Sequence, residues 1–397
     1  MLNSVSVLSD AKSRLSLCSF FIMASFILGV CFIGSAWLAR NSFVVSSMVD
    51  IELNDEKEIS QLNKCKENCK PVGSESLPKG IVSPTSNLEM RPLWGPISEN
   101  YEQKGSTNLL AIVIGIKQKE SVNKIVSKFL ANGFVVMAFH YDGVVDEWKD
   151  FGWHNKVIHV SAPSQTKMWF AKRFLHPDIV SEYDYIFLWD EDLGVENFDP
   201  RRYLSIVRQE GLEISQPALD PRKSKVHHRI TARVRGSKFH RRYYDSRGGG
   251  KCVNNNTGPP CAGWVEMMAP VYSKAAWRCA WYMIQNDLIH GWGLDMQLGY
   301  CAQGDRTSKV GVVDAEYIVH MALPTLVGPS DAKPSKSNNP SSQTSEASGL
   351  NKLDTRFEIR KRSYNEMNVF KNRWNTAVAE DECWVDPFQQ PADQIMH

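Results

Sequence analysis

A chain of 397 residues, 43% hydrophobic and 23% charged, has a globular composition with ample material for one large or two smaller domains. The formal charge of +2 gives no global electrostatic argument for nucleic acid, and no nucleic-acid partner is expected.

Lys12 and Arg14 precede Leu15 to Ala39, a stretch without formal charge that is long enough to cross a bilayer as a helix. A cleaved signal peptide has an apolar region of only about 7 to 15 residues. This run is longer, and no small-x-small cleavage site follows it. Asp50, Glu52, Asp55 and Glu56 lie beyond, so the positive-inside rule puts the N-terminus in the cytosol. The expectation is a cytosolic tail over 1–14, a signal anchor over 15–39 and a lumenal remainder. That is a single-pass type II protein of Golgi or endoplasmic-reticulum membrane. The alternative is a signal sequence ahead of a soluble product.

Residues 40–105 are polar, with prolines at Pro71, Pro78, Pro84, Pro92 and Pro96, and read as a stem. Cys65 and Cys69 suit one face of a helix and an intermolecular bridge better than a zinc site, which allows a disulfide-linked dimer through the stem. Cys18 and Cys31 fall in the span and leave seven lumenal cysteines, so at least one stays free or pairs between chains. Cys252 and Cys261 bracket a Gly/Asn/Pro-rich loop and suit a local disulfide. The sequon Asn255-Asn256-Thr257 inside that loop is usable only if the loop is lumenal.

The expected body, 106–328, opens with a buried strand, Leu109 to Ile116, then an amphipathic helix on Val122, Ile125, Val126, Phe129 and Leu130 that ends at Asn132-Gly133. Strands over Phe134 to Phe139 and Val157 to Val160 follow, and Ser164 is the expected cap of a helix carrying Met168, Trp169, Phe170 and Phe174. Alternating strands and helices imply βαβ units and a mostly parallel sheet. Neither a GxGxxG nor a GxxxxGK[ST] phosphate loop occurs.

Tyr183 to Glu196, YDYIFLWDEDLGVE, drives a buried strand into an acidic cluster. If extended geometry continues, Asp190 and Asp192 share a side, while Glu191 points away into structural contacts. Paired carboxylates at the C-terminal end of a buried strand lie where open α/β sheets bind ligands. They repel unless a cation or a shared proton intervenes, which points to Mg²⁺ or Mn²⁺ shared with a phosphate-bearing substrate.

Asp199-Pro200 starts a further helix that Gly211 ends, and Leu212 to Gln216 is a short strand. Arg222 to Lys251 carries eleven Lys or Arg against the single acid Asp245. It reads as a loop closing over an anionic substrate, a nucleic-acid surface or a solvated loop. Gly263 to Tyr272 is an expected strand, and Ser273 caps a helix with Trp277 and Trp281. Asp295 stands at a short helix start within the glycine-rich stretch 290–299. Val310 to Val319 is the last strand and delivers His320. Residues 329–350 read as a disordered linker and 351–397 as a helical segment, with its helix over about Arg356 to Ala379. Trp189, Trp264 and Trp292 are candidates for stacking on sugar faces, with core packing as the competing role.

The pieces KMWFAKRFLHP, YDYIFLWDEDLGVE, CAGWVEMMAPVYS, HGWGLDMQLGYC and EYIVHMALPTLVG resemble the plant membrane family catalogued as domain of unknown function 707, over roughly residues 90–330. Their order is similar to that of nucleotide-sugar glycosyltransferases with the GT-A fold. That resemblance implies a GT-A-like α/β fold and a nucleoside-diphosphate sugar donor. It implies Asp190, Asp192 and His320 as ligands of Mn²⁺ or Mg²⁺, with Asp190 also on the donor. Asp295 would be the base toward a carbohydrate or glycoconjugate acceptor, and Asp142 a residue at the nucleoside end. Arg173 or the basic tract could add charge to the diphosphate. The competing expectation is a degenerate transferase fold serving as a non-catalytic lumenal binding or scaffold protein.

Overall fold

The computed structural model describes residues 70–82, 107–244, 252–253, 256–323 and 345–388, with four isolated positions, Met23, Gly29, Cys31 and Ser35, nearer the N-terminus. The rest of the expected span, Cys65 and Cys69, Asn255 and residues 324–344 lie outside these. Among the described residues no helix is long and apolar enough to cross a membrane. The chain divides into two units, 1–69 and 70–397, and the second carries the fold described below.

β1 (Thr107–Ile114) is the axis of the first half. It pairs in parallel with β2 (Val135–His140) on one side and β4 (Tyr183–Trp189) on the other, and β2 pairs in parallel with β3 (Ile158–Ser161). Alternate side chains serve opposite faces, as strand geometry requires. Leu109, Ala111, Ile186 and Leu188 enter one core with Phe170, Trp277 and Trp281. Leu110, Ile112, Phe187 and Trp189 enter another with Phe129 and Phe198. Both faces are thus covered, which explains why these strands read as continuous apolar runs.

α1 (Lys119–Ala131) buries Val122, Ile125, Val126 and Phe129, and Gly133 beyond it takes the left-handed φ of 79° that closes a helix. α2 (Lys167–Phe174) starts from Thr166, whose side chain accepts the Trp169 N–H. Ser164 is not the cap. It sits in a turn at φ 62°, so the helix begins two residues later than the sequence suggests.

The second half mixes directions. The sheet order is β3-β2-β1-β4-β8-β6-β9-β5, with β7 (Phe239–His240) on β9. α3 (Pro200–Gln209), capped by Asp199, leads into β6 (Ile214–Leu219). β8 (Val271–Ser273) runs antiparallel to β4 and β6, and β6 runs parallel to β9 (Val310–His320). β5 (Leu193–Gly194) pairs antiparallel with β9. The result is a mixed α/β sheet, mostly parallel, between helices.

The strand expected from Gly263 shrinks to β8. Gly263 has φ 64° and Pro270 has no N–H to give, so 263–270 runs irregularly while Met268 and Pro270 carbonyls still accept from Asp190 and Leu188 N–H. Part of the expected stem also belongs to the body. Leu77 and Ile81 are fully buried in the Trp277 core, and Lys79 N–H donates to Asp381 at 2.7 Å. α4 (Lys274–Met283), capped by Ser273, is joined to the turn before α5 (Arg306–Lys309) by Cys279–Cys301. The expected Cys252–Cys261 bridge is present, and Cys383 is also disulfide-bonded. α6 (Ser345–Glu380) starts inside the expected linker and buries Phe370, Trp374 and Ala377.

Candidate active site

β4 stops at Trp189, so the acidic triplet leaves the sheet edge as a loop. Asp190 N–H donates to Met268 O at 2.9 Å, which ties it to the irregular segment before β8. Glu191 turns away, accepting from Gly115 N–H at 2.5 Å and from the Tyr141 hydroxyl. Burial pushes its carboxyl up to about 8, against those two donors.

Asp192 and His320 meet because β5 pairs with the end of β9, Leu193 opposite His320. Met321 N–H donates to Asp192 O at 2.9 Å, and Asp192 Oδ2 lies 3.2 Å from His320 Nε2. That hydrogen bond raises the His320 pKa against the opposing effect of burial. His320 N–H donates to Ser224 Oγ at 3.0 Å, whereas its buried Nδ1 has no hydrogen-bond partner. Burial raises the Asp190 carboxyl as well. Lys167 offsets this in part, its Nζ 2.6 Å from Asp190 Oδ1.

Asp295 lies in a 3-10 turn, Leu294–Met296, reached through Gly291 at φ 70° and Gly293 at φ 93°, values that glycine adopts without strain. Its Oδ1 accepts Met296 N–H at 3.0 Å. Burial raises its pKa. Met296 N–H, the Trp264 indole and the Gly293 backbone hold it down, although the buried Trp264 Nε1 completes no well-formed hydrogen bond. α6 clamps this stretch. Glu366 accepts His290 N–H at 2.8 Å and pairs with His290 Nδ1 at 2.9 Å.

Glu266 was not singled out from the sequence, although it is the only charged residue in CAGWVEMMAPVYS. Its N–H donates to Gln216 Oε1 at 2.5 Å, and its buried Oε2 has no hydrogen-bond partner. Burial lifts its carboxyl to about 7; Asp295 and Asp190 add to the shift, and His320 and Lys167 oppose it. Those couplings gather Glu266, Asp190, Asp295, His320 and Lys167 into one electrostatic cluster. Lys167 was missed too, although it opens the quoted piece KMWFAKRFLHP.

Asp142 stands apart. Both its oxygens are taken by backbone, Ile116 N–H at 2.7 Å and Val144 N–H at 3.0 Å, and it joins the acidic group through Tyr141. Three arginines of the basic tract are tied to backbone carbonyls. Arg233 donates to Asp314 O, Arg241 to Ser308 O and Arg242 to Val253 O. Arg173 stacks over Trp169 at 4.4 Å. His227 differs, since its pKa is lowered by burial, then by Lys225, His320 and Arg360, which brings a cationic group to the His320 edge. Trp189 and Trp264 are core. Trp292 is 41% exposed, its ring 5.0 Å from that of the exposed Tyr364 of α6.

Among the described residues no three His, Cys, Asp or Glu side chains form a ready-made metal cage. The chemistry of the donor set nevertheless suits a hard cation. Ligands at right angles on Mg²⁺, each about 2.1 Å away, stand about 3 Å apart, close to the Asp192–His320 separation. Mg²⁺ is also commonly held by one or two carboxylates with phosphate and water completing its shell.

A family model described as a protein of unknown function, DUF707, matches residues 68–380. The chain belongs to the DUF707 family. No curated protein matches it. The DUF707 match starts just before Lys70 and ends with α6, so the packed part of the expected stem and the clamping helix both fall inside it.

Proposed function

We propose that this DUF707 protein is a metal-dependent glycosyltransferase with a GT-A-like fold, moving a sugar from a nucleoside-diphosphate donor to an acceptor hydroxyl. The observation that carries the reading is the convergence of Asp190, Asp192 and His320 at the C-terminal end of β4, with Glu266 coupled electrostatically to Asp190, His320 and Asp295. The mixed, mostly parallel sheet suits the GT-A arrangement that the order of motifs implies.

Asp192 and His320, with Asp190, would hold Mn²⁺ or Mg²⁺. When bound, such a cation neutralises charge on the departing diphosphate as a Lewis acid. Lys225 and Arg360, which flank the neutral His227, supply positive charge at the His320 edge, where an anionic diphosphate is attracted. Lys167 holds Asp190 and leaves Asp192 to the cation. The exposed Trp292–Tyr364 pair, next to the Asp295 turn, offers aromatic faces to an acceptor sugar. The charge order around residues 15–39 supports a type II anchor in Golgi or endoplasmic-reticulum membrane, with the body lumenal. Protease protection of the C-terminus in intact microsomes tests that topology.

One observation favours the non-catalytic reading. Lys167 already neutralises Asp190, so part of the acidic site has an internal counter-ion. Thermal unfolding with UDP or GDP and Mn²⁺ separates the two, together with release of nucleoside diphosphate from a panel of nucleotide sugars. A transferase is stabilised by nucleotide only with the metal, hydrolyses one of the donors, and loses both properties in Asp192→Ala. A scaffold responds to neither.

A further inference from the structure

Every acid at the candidate site except one has hydrogen-bond donors to hold its anion. Asp190 has Lys167, Asp192 has His320, and Glu191 has Gly115 N–H and the Tyr141 hydroxyl. Asp295 has Met296 N–H, with the Trp264 indole and the Gly293 backbone also holding its pKa down. Glu266 Oε2 is buried and has none. A buried acceptor without a donor is destabilising, and more so when charged, so it is a costly arrangement to keep in a resting protein. The backbone at Glu266 is meanwhile fixed from β6 by Gln216, which aims rather than frees the side chain.

These facts separate the two acceptor-side carboxylates. Donors that stabilise an anion weaken it as a base, and Asp295 has them. Its place in a glycine-framed turn clamped by Glu366 suits a residue that shapes the acceptor pocket. Glu266 lacks donors and couples electrostatically to Asp190, Asp295 and His320.

We propose that Glu266, rather than Asp295, is the catalytic base of this site and takes the proton of the acceptor hydroxyl on Oε2. The proposal rests on the transferase reading above and assigns a role within it. In the step, the acceptor O–H bond breaks and its proton passes to Glu266 Oε2. The acceptor oxygen forms the new bond to the anomeric carbon. The bond from that carbon to the diphosphate oxygen breaks, and the nucleoside diphosphate departs with the electron pair. Proton affinity agrees with the geometry, since burial already lifts this carboxyl to about 7, near the working pH a general base needs.

The test uses the full-length chain, Mn²⁺ and the panel of UDP- and GDP-sugars, with water as the acceptor hydroxyl. Glu266→Gln is close to isosteric and is expected to keep the thermal shift produced by nucleoside diphosphate with Mn²⁺. It should lose about 10² to 10⁴-fold in nucleotide-sugar hydrolysis, the range for a positioned general base. Glu266→Asp, which keeps a carboxylate one methylene back, should fall between it and the wild type. It carries the comparison if the glutamine variant does not fold. Asp295→Asn should lose less than Glu266→Gln. Hydrolysis by Glu266→Gln at a rate close to wild type overturns the assignment and leaves the transferase reading standing. So does a larger loss in Asp295→Asn. A wild-type protein that binds nucleotide but hydrolyses no donor overturns the base role and leaves a nucleotide-binding protein in place of the transferase. One that neither binds nor hydrolyses removes the transferase reading and the base together.

Discussion

Lys172 is a buried charge away from the candidate site. It is 1% exposed, donates to Trp281 O at 2.9 Å and sits 3.7 Å from the Trp281 ring, and burial lowers its ammonium pKa from 10.5 to about 7. The unfolded chain keeps that proton up to the ordinary lysine range, while the folded protein releases it near neutrality. Between the two values the unfolded state binds more protons, so this lysine makes stability rise with pH across the window, and its penalty is largest at and below about pH 7. Lys172→Met should remove that part of the slope. Urea unfolding of both proteins at several pH values between about 7 and 10 checks it: the variant's stability relative to wild type should fall as pH rises. The acidic pair was legible because an apolar run ending in alternate carboxylates is a local pattern. Glu266 was not, since what marks it is a missing donor, a property of its neighbours rather than of CAGWVEMMAPVYS.

Among the elements, the stretch 290–296 and α6 act as one. Gly291 and Gly293 let the chain turn, and Glu366 then supplies the acceptors that the turn requires at His290. Glu366→Ala leaves the His290 N–H and Nδ1 without their partner and is expected to destabilise by about 1–3 kcal/mol in chemical denaturation. Because Asp295 rides on the same turn, nucleotide-sugar hydrolysis should fall as well. Phe370 and Trp374 anchor α6 in the core at 2% and 5% exposure, and Trp374→Ala should cost about 3–5 kcal/mol through the cavity it leaves. A melting temperature close to wild type for that variant would show that α6 is only loosely attached. The helix itself was legible from its apolar spacing. Its clamp on a segment some 70 residues earlier was not, because no local pattern pairs Glu366 with His290 (|i−j| = 76).

For the whole molecule, the boundary of the body is the main revision. Residues 70–82 read as stem because they are polar and hold Pro71 and Pro78. Leu77 and Ile81 nevertheless reach the Trp277 core, and Trp384 Nε1 donates to Ser76 O at 3.0 Å. A chain starting at residue 83 loses two fully buried aliphatic side chains, each worth about 1.5–3 kcal/mol. It should melt well below one starting at residue 70, and equal melting temperatures would show that the segment adds nothing to the body.

What the sequence by itself determined is local in origin. Continuous apolar runs meant strands covered on both faces, side-chain periodicity meant helices, and glycines such as Gly133 and Gly211 marked where the helices ended. Asp190 and Asp192 stood out as alternate carboxylates after an apolar run, although β4 ends at Trp189 and the strand alternation does not reach them, and the Cys252–Cys261 bridge followed from a short loop between two cysteines. Tertiary structure alone decided which distant segments share an edge. The antiparallel pairing of β5 with β9 brings His320 to Asp192, the irregular path after Gly263 brings Glu266 to the same cluster, and α6 holds the Asp295 turn. The physical reason is that such contacts depend on sheet order and on burial of complementary faces, which residues far apart in the chain settle together and no local window records.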